Sequence, residues 1–267
     1  MSESDLQVQI AAAKAYEDFF VPALFGEWAP RVAAGAQIQP GNQVLDVACG
    51  TGVLAREAAS RVGPSGFVAG VDASPGMLVV AATLAPTIEW RQGTAEALPY
   101  PDQRFDAVAS QFGLMFFTDR RQALSEMQRV LKRGGHLAVA VWASLDRAPA
   151  YAAEVALLER LAGKAAADAL RAPFVLGDSK ELAQLAASAG VEEVTVATQP
   201  GVARFPSIRF MVEADLRGWL PLMGVVLTED QIHRILQEAE HVLGAYVTAA
   251  GTTACGLAAH LVTGTKS

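Results

Sequence analysis

The chain has 267 residues, 52% of them apolar and 18% charged, a length and balance that allow a full buried core and exclude long disorder. Its formal net charge of −7 argues against a general nucleic-acid binder, and no run of about 18 apolar residues marks a membrane span. Cys49 and Cys255 stand far apart and outside any CxxC or Cys/His cluster, so neither a disulfide framework nor a metal site is expected.

The acidic, polar opening MSESDLQVQ lacks the basic and apolar regions of a secretory signal, and a cytoplasmic location is the expectation. Helical spacing follows at Leu6, Ile10 and Ala13, then an aromatic stretch through Tyr16, Phe19, Phe20, Phe25 and Trp28. Pro22 and Pro30 are expected to interrupt that helix. From Gln43 onward strands and helices alternate, the rhythm of an α/β sheet. Val44 to Ala48 reads as the first strand, followed by a helix with Val53, Leu54, Ala58 and Val62 on one face and closed by Gly63-Pro64. Further strands are expected at Phe67 to Val71, near Ile88 to Arg91, and at Phe105 to Ser110.

Asp119 with Gln122 three residues on has the spacing of a capping box. The helix that it opens presents Leu124, Met127 and Leu131, and is expected to stop at Lys132-Arg133-Gly134-Gly135. His136 to Trp142 is the fifth strand. Residues 146–170 are alanine-rich and helical, and Asp178 with Glu181 opens another helix that ends at Gly190. A sixth strand is placed at Val194 to Thr198, inserted helices over 207–248 starting at Ser207 and at Thr228 with Gln231, and a last strand at Cys255 to Val262. The reading is a doubly wound α/β fold with a seven-stranded, mostly parallel sheet and helical cap insertions.

The strongest local feature is VLDVACGTG, Val44 to Gly52, where a buried strand ends in a glycine turn and a helix starts directly after it. Backbone N–H groups and a helix N-terminus then meet at the carboxyl edge of the sheet, where open α/β folds bind ligands. Gly50-Thr51-Gly52 with Ala55 also satisfies the dinucleotide pattern GxGxx(G/A), a weak match on its own. Asp46 separates the two readings. A pyrophosphate brought to this turn would be opposed by its carboxylate, whereas a ligand carrying an ammonium and a sulfonium would be attracted. At roughly 4 Å and an effective dielectric near 20, the gross Coulomb term is about 4 kcal/mol before desolvation.

With these residues the sequence resembles the class I S-adenosylmethionine-dependent methyltransferases of the ubiquinone and menaquinone biosynthesis type, over about residues 40–142. The resemblance implies S-adenosylmethionine as cofactor and a Rossmann-like methyltransferase fold. It implies one domain with its core at 36–143, 178–200 and 252–264, and cap elements at 1–34, 146–176 and 205–250. LDVACGTG is the family's first motif, with Ala48 in place of the usual first glycine. It puts Asp46, Ala48, Gly50 and Gly52 around the cofactor. Asp72, in VAGVDASPGML, takes the place of the acid that binds both ribose hydroxyls, because a carboxylate accepts two protons; Ala73 and Met77 then lie beside the adenosine. Ala95 and Glu96 run past the adenine, and Gln111 faces the methionine part.

The aromatics Tyr16, Phe19 and Trp28, with Met115 and Trp142, are candidate contacts to a small, apolar or aromatic substrate. Phe210, Met211, Trp219 and Met223 form a second candidate lid. Each has plain core packing as its alternative. None of His136, His233, His241 and His260 sits in a catalytic setting, and no catalytic base or metal ligand is assigned. Two other functions stay open at this point, an NAD-dependent oxidoreductase favoured by the glycine pattern and a non-catalytic module with a protein partner. The oligomeric state is open too.

Overall fold

The computed structural model describes residues 3–267. Its elements run α1 (Glu3–Ala15), a wide-turned π-helix (Tyr16–Phe25), α2 (Ala29–Gly35), β1 (Gln43–Val47), α3 (Val53–Val62), β2 (Phe67–Asp72), α4 (Pro75–Leu84), β3 (Glu89–Gln92) and β4 (Phe105–Gln111). They continue with α5 (Arg120–Val130), β5 (Leu131–Trp142), α6 (Pro149–Ala162), α7 (Lys164–Arg171), α8 (Ser179–Ser188), β6 (Glu192–Gln199) and β7 (Val202–Phe205). The chain ends with α9 (Ile208–Ala214), α10 (Leu220–Leu222), α11 (Glu229–Val242), β8 (Thr253–Gly256) and β9 (Ala259–Thr265). Two compact units result, one of residues 3–141, 178–199 and 260–267, the other of 142–177 and 200–259.

The first unit is built on the expected seven-stranded sheet, in the order β3-β2-β1-β4-β5-β9-β6. β1 pairs in parallel with β2 (Val44 opposite Val68) and with β4 (Val44 opposite Ala107), and β4 pairs in parallel with β5. The strand order therefore reverses between β1 and β4, and a doubly wound sheet opens a crevice at the carboxyl ends of those two strands. Val44, Leu45 and Val47 in β1 and Leu137 to Val141 in β5 are buried in unbroken runs, as strands covered by helices on both faces require. The N-terminal residues group with this sheet: Gly76 of α4 brings α1 so close that a Cβ there would lie 2.6 Å from the backbone of Gln9.

Four local expectations are corrected. Pro22 lies inside the helix Tyr16–Phe25 and does not break it. The turn here is the wider one of a π-helix, and the N–H of Gly26 bonds the carbonyl of Val21 at 2.7 Å, five residues back. Pro30 sits in the first turn of α2, where a missing N–H costs nothing.

Lys132-Arg133-Gly134-Gly135 is not the end of α5 but the start of β5, whose Leu131 already pairs with Phe105. The basic cap comes instead from Lys266, whose Nζ donates to the carbonyls of Gln128 (2.6 Å), Arg129 (3.1 Å) and Leu131 (2.8 Å). The expected last strand divides in two. Thr253–Gly256 joins β7 in an antiparallel two-stranded ribbon, and the strand that enters the large sheet is Ala259–Thr265. Finally, Asp119 caps α5 through the Gln122 N–H at 2.9 Å, but the Gln122 side chain turns to the Glu96 carbonyl. Of the three S/T/D-x-x-Q/E starts, Thr228–Gln231 closes in both directions.

The second unit packs α6 against α7 and α11, with α9 on α11 and the β7–β8 ribbon beside them. Met211 is fully buried there, and the Trp219 indole N–H bonds the Ala169 carbonyl at 2.9 Å. Both are packing groups of this unit. No helix among the described residues is long and apolar enough to cross a membrane.

Candidate active site

A cavity of about 400 Å³ lies in the first unit, lined by Tyr16, Ala48, Gly50, Asp72, Ala73, Ser74, Met77, Gly93 to Glu96, Gln111 to Gly113 and Phe116 to Thr118. These residues end β1, β2, β3 and β4, so the cavity sits at the carboxyl edge where the strand order reverses. Nine expected residues meet here: Tyr16, Ala48, Gly50, Asp72, Ala73, Met77, Ala95, Glu96 and Gln111.

Asp72 organises the floor. Its Oδ2 accepts the N–H of Gly50 and its Oδ1 the N–H of Ser74, each at 2.8 Å. Each oxygen keeps a further lone pair for a ligand hydroxyl. Burial pushes the Asp72 carboxyl above its ordinary value, and the N–H groups of Ser74, Gly50 and Ala73 hold it back. Ser74 then caps α4 through the Met77 N–H at 3.4 Å, which sets Met77 on the cavity wall.

The glycine turn is fixed by what touches it. Gly50 (φ +54) lines the cavity, and the Tyr16 ring passes over it, 3.9 Å from where a Cβ would stand. Gly52 does not line the cavity. It adopts φ +88 against Trp90, whose ring would lie 2.5 Å from a Cβ at this position. Trp90 was not expected at the site, and it packs the same way on Gly70. Ala48 (φ +56) and Phe112 (φ +57) hold left-handed backbone at the ends of β1 and β4, conformations that cost of order 1–3 kcal/mol each in a non-glycine residue. Strain thus gathers at the two strand ends that frame the cavity.

Asp46 departs from expectation. It is 1% exposed and is not among the lining residues, and neither of its oxygens reaches a hydrogen-bond partner. Burial pushes its carboxyl well above the usual carboxylate range; the Ala55 N–H opposes this in part and Asp72 adds to it. Burial of Asp46 without a hydrogen-bond partner thus works against the charged form that the Coulomb estimate assumed. Gln111 resembles it: Nε2 donates to the Phe25 carbonyl at 3.1 Å, while the buried Oε1 has no partner. Glu96 lines the cavity with its Oε1 accepting the N–H groups of Thr118 (3.0 Å) and Asp119 (3.4 Å), which ties it to the start of α5.

The aromatic wall also differs. Tyr16 faces the cavity and stacks on Phe25, with ring centroids 5.3 Å apart. Burial pushes its phenol far up, with Asp72 adding to the effect. Phe19 is 44% exposed and outside the lining. Trp28 is buried behind the wall, edge-on to Phe112 at 5.8 Å. Met115 is buried in the turn Leu114–Phe116, and the wall is supplied instead by its neighbours Phe116 and Phe117. Trp142 is buried and falls in the second unit. The signal in the sequence for Phe116 and Phe117 is an aromatic pair between strand four and the Asp119 cap, on the loop that leaves the carboxyl edge of the sheet.

None of the four histidines lines the cavity: His136 lies midway along β5, opposite Ala107, His233 and His241 are exposed on α11, and the buried His260 Nδ1 is 2.9 Å from the Thr198 hydroxyl. Among the described residues no group of three or more metal-binding side chains occurs.

Comparison with known proteins points one way. Residues 44–135 match the family model described as a methyltransferase domain. The chain is 46% identical over 108 residues to the ubiquinone/menaquinone biosynthesis C-methyltransferase UbiE of Hahella chejuensis, covering 38% of this chain and 43% of that protein. To the UbiE of Bordetella avium it is 41% identical over 140 residues, 50% of this chain and 55% of that one. The chain therefore spans about half the length of the curated relatives that it matches. Its fold is shared with the YcgJ protein of Bacillus subtilis (TM-score 0.59, 23% identity, 90% of this chain and 98% of that one). It is shared as well with phosphoethanolamine N-methyltransferase 2 of Haemonchus contortus in complex with phosphomonomethylethanolamine and S-adenosylhomocysteine (TM-score 0.60, 17% identity, 96% and 57%).

Proposed function

We propose that this chain, which belongs to the class I S-adenosylmethionine-dependent methyltransferases, transfers a methyl group from S-adenosylmethionine to a small, largely apolar or aromatic acceptor. The observation that carries the reading is Asp72: a cavity-lining carboxylate at the end of β2, oriented by the N–H groups of Gly50 and Ser74, each oxygen with lone-pair capacity left for a hydroxyl. The donor set fits an amino-acid nucleoside. Gly50 would leave room for close approach, Ala73 and Met77 would hold the sugar side, and Ala95 and Glu96 the adenine side, all of them lining the cavity. The unpartnered acceptors Gln111 Oε1 and Asp46 suit the ammonium end.

The bound cofactor supplies a methyl group on an electrophilic sulfonium. What the chain does is hold the two reactants in line and keep water away, and such positioning can account for about 7–11 kcal/mol of a barrier. Tyr16, Phe112, Phe116 and Phe117 wall the cavity with aromatic faces, which favour a cationic sulfur on one side and an apolar acceptor on the other. No side chain of this cavity is assigned as a general base.

Calorimetric titration with S-adenosylhomocysteine and, separately, with NADH tests the cofactor. The expected result is saturable binding of S-adenosylhomocysteine and none of NADH; binding of NADH alone overturns the reading. Incubating the protein and S-adenosylmethionine with phenolic and quinol-like acceptors tests the substrate class. Turnover confined to charged macromolecular acceptors contradicts it.

A further inference from the structure

Two residues beyond the cavity rim, a side chain from the N-terminal segment takes hold of the glycine turn. Glu17 stands next to Tyr16 at the start of the π-helix Tyr16–Phe25. Its Oε2 accepts the Thr51 hydroxyl at 2.5 Å, and its Oε1 pairs with the Arg56 guanidinium at 2.6 Å. Arg56, in the first turn of α3, closes the triangle by donating to the Thr51 carbonyl at 2.6 Å. Thr51 is 1% exposed, and the Glu17 and Arg56 side chains are 19% and 28% exposed, so the three groups are largely shielded from water. Charge-assisted bonds in that setting are among the stronger side-chain contacts.

From these contacts we infer that Glu17 is a positioning residue for the cofactor, acting through Thr51 on the Gly50–Gly52 turn and through its neighbour Tyr16 on the cavity mouth. The turn is gripped from two sides, by Asp72 on the Gly50 N–H and by Glu17 on the Thr51 hydroxyl. The far end of the same helix is tied as well, since the Phe25 carbonyl accepts from Gln111 on β4. With both ends fastened, the helix holds the Tyr16 ring over Gly50, and opening the Glu17 end frees the turn and the ring together. The pattern of partners makes the assignment specific. Glu17 spends both oxygens on the turn and on the helix that follows it, whereas Asp18 beside it is exposed.

This inference rests on the proposed cofactor, and its test separates the two. S-adenosylhomocysteine affinity and dissociation rate are measured by calorimetry and stopped flow for the wild type, Glu17→Ala, Glu17→Gln, Thr51→Val and the double variant Glu17→Ala/Thr51→Val. Thermal midpoints are recorded alongside. If the wild type fails to bind, the cofactor reading itself fails. If it binds, Glu17→Ala is expected to weaken affinity about ten-fold, mostly through faster dissociation. Glu17→Gln keeps an acceptor for Thr51 and is expected to recover part of the loss. The double variant is expected to be no weaker than Glu17→Ala alone, because the two residues act through one bond. Wild-type affinity and dissociation in Glu17→Ala would overturn the inference. So would losses in the two single variants that simply multiply, or a loss that follows only the thermal midpoint.

Discussion

The protein carries two sets of buried carboxyl groups, one in each unit, and they are built differently. Asp46 and Asp72 stand at the ends of adjacent strands beside a cavity, and Asp72 is furnished with backbone N–H donors. Glu154 and Asp215, on α6 and just after α9, are buried with Tyr151 and Cys255; neither Glu154 oxygen has a hydrogen-bond partner, nor does Asp215 Oδ2. Burial pushes both of these carboxyls up, and the neighbouring Asp215 adds to the rise of Glu154. The contrast separates two meanings of a buried acid. Asp72, oriented by N–H donors in a cavity wall, is prepared for a ligand, while Glu154, with no donor and a second acid beside it, favours its protonated form, at a cost to stability that grows with pH.

Three substitutions sharpen that contrast, in decreasing order of expected effect. Asp72→Ala removes the two oxygens proposed to accept the ribose hydroxyls and releases the Gly50 N–H. S-adenosylhomocysteine affinity is expected to fall about 100-fold, roughly 2.7 kcal/mol, in calorimetry. An unchanged affinity would place Asp72 with the structural acids. Asp46→Asn keeps the shape of a neutral carboxyl, so the free protein should unfold at the same urea concentration at pH 7. Cofactor binding should weaken about ten-fold, roughly 1.4 kcal/mol. Binding to the wild type should also release a proton, seen as a buffer-dependent enthalpy that disappears in the variant.

Glu154→Gln is expected to act on stability alone. In the wild type the folded state keeps protons that the unfolded chain has lost, so stability falls as pH rises from the ordinary carboxylate range towards the raised values. Removing one of the acids should therefore stabilise by about 1 kcal/mol at pH 8 and do nothing near pH 4, read from urea midpoints. A loss of S-adenosylhomocysteine affinity in this variant would erase the distinction between the two sets.

The sheet and the glycine turn were legible because their signals are local. An apolar run such as Val44 to Val47 and a glycine turn after it need no knowledge of distant residues, and Asp72 could be placed by its position at the end of a strand. What was missed depends on partners far along the chain. Lys266 displaces Lys132 and Arg133 as the cap of α5, and no periodicity in 120–135 announces it. Trp90 explains Gly52 and Gly70 only once β3 lies beside β2. Glu17 reaches Thr51 across 34 positions. Which apolar side chains line the cavity was hard to read for a related reason: Trp28, Met115, Phe116 and Phe117 have similar apolar character, and which of them is wall and which is core is decided by packing.

The central claim is that the cavity at the ends of β1 and β4 receives a nucleoside through Asp72. A crystal structure of the protein with S-adenosylhomocysteine tests it most directly. The account predicts both ribose hydroxyls within hydrogen-bond distance of the Asp72 oxygens, with the sulfur facing the aromatic wall of Tyr16 and Phe112. A nucleoside bound elsewhere, or bound here with its ribose turned away from Asp72, would contradict it.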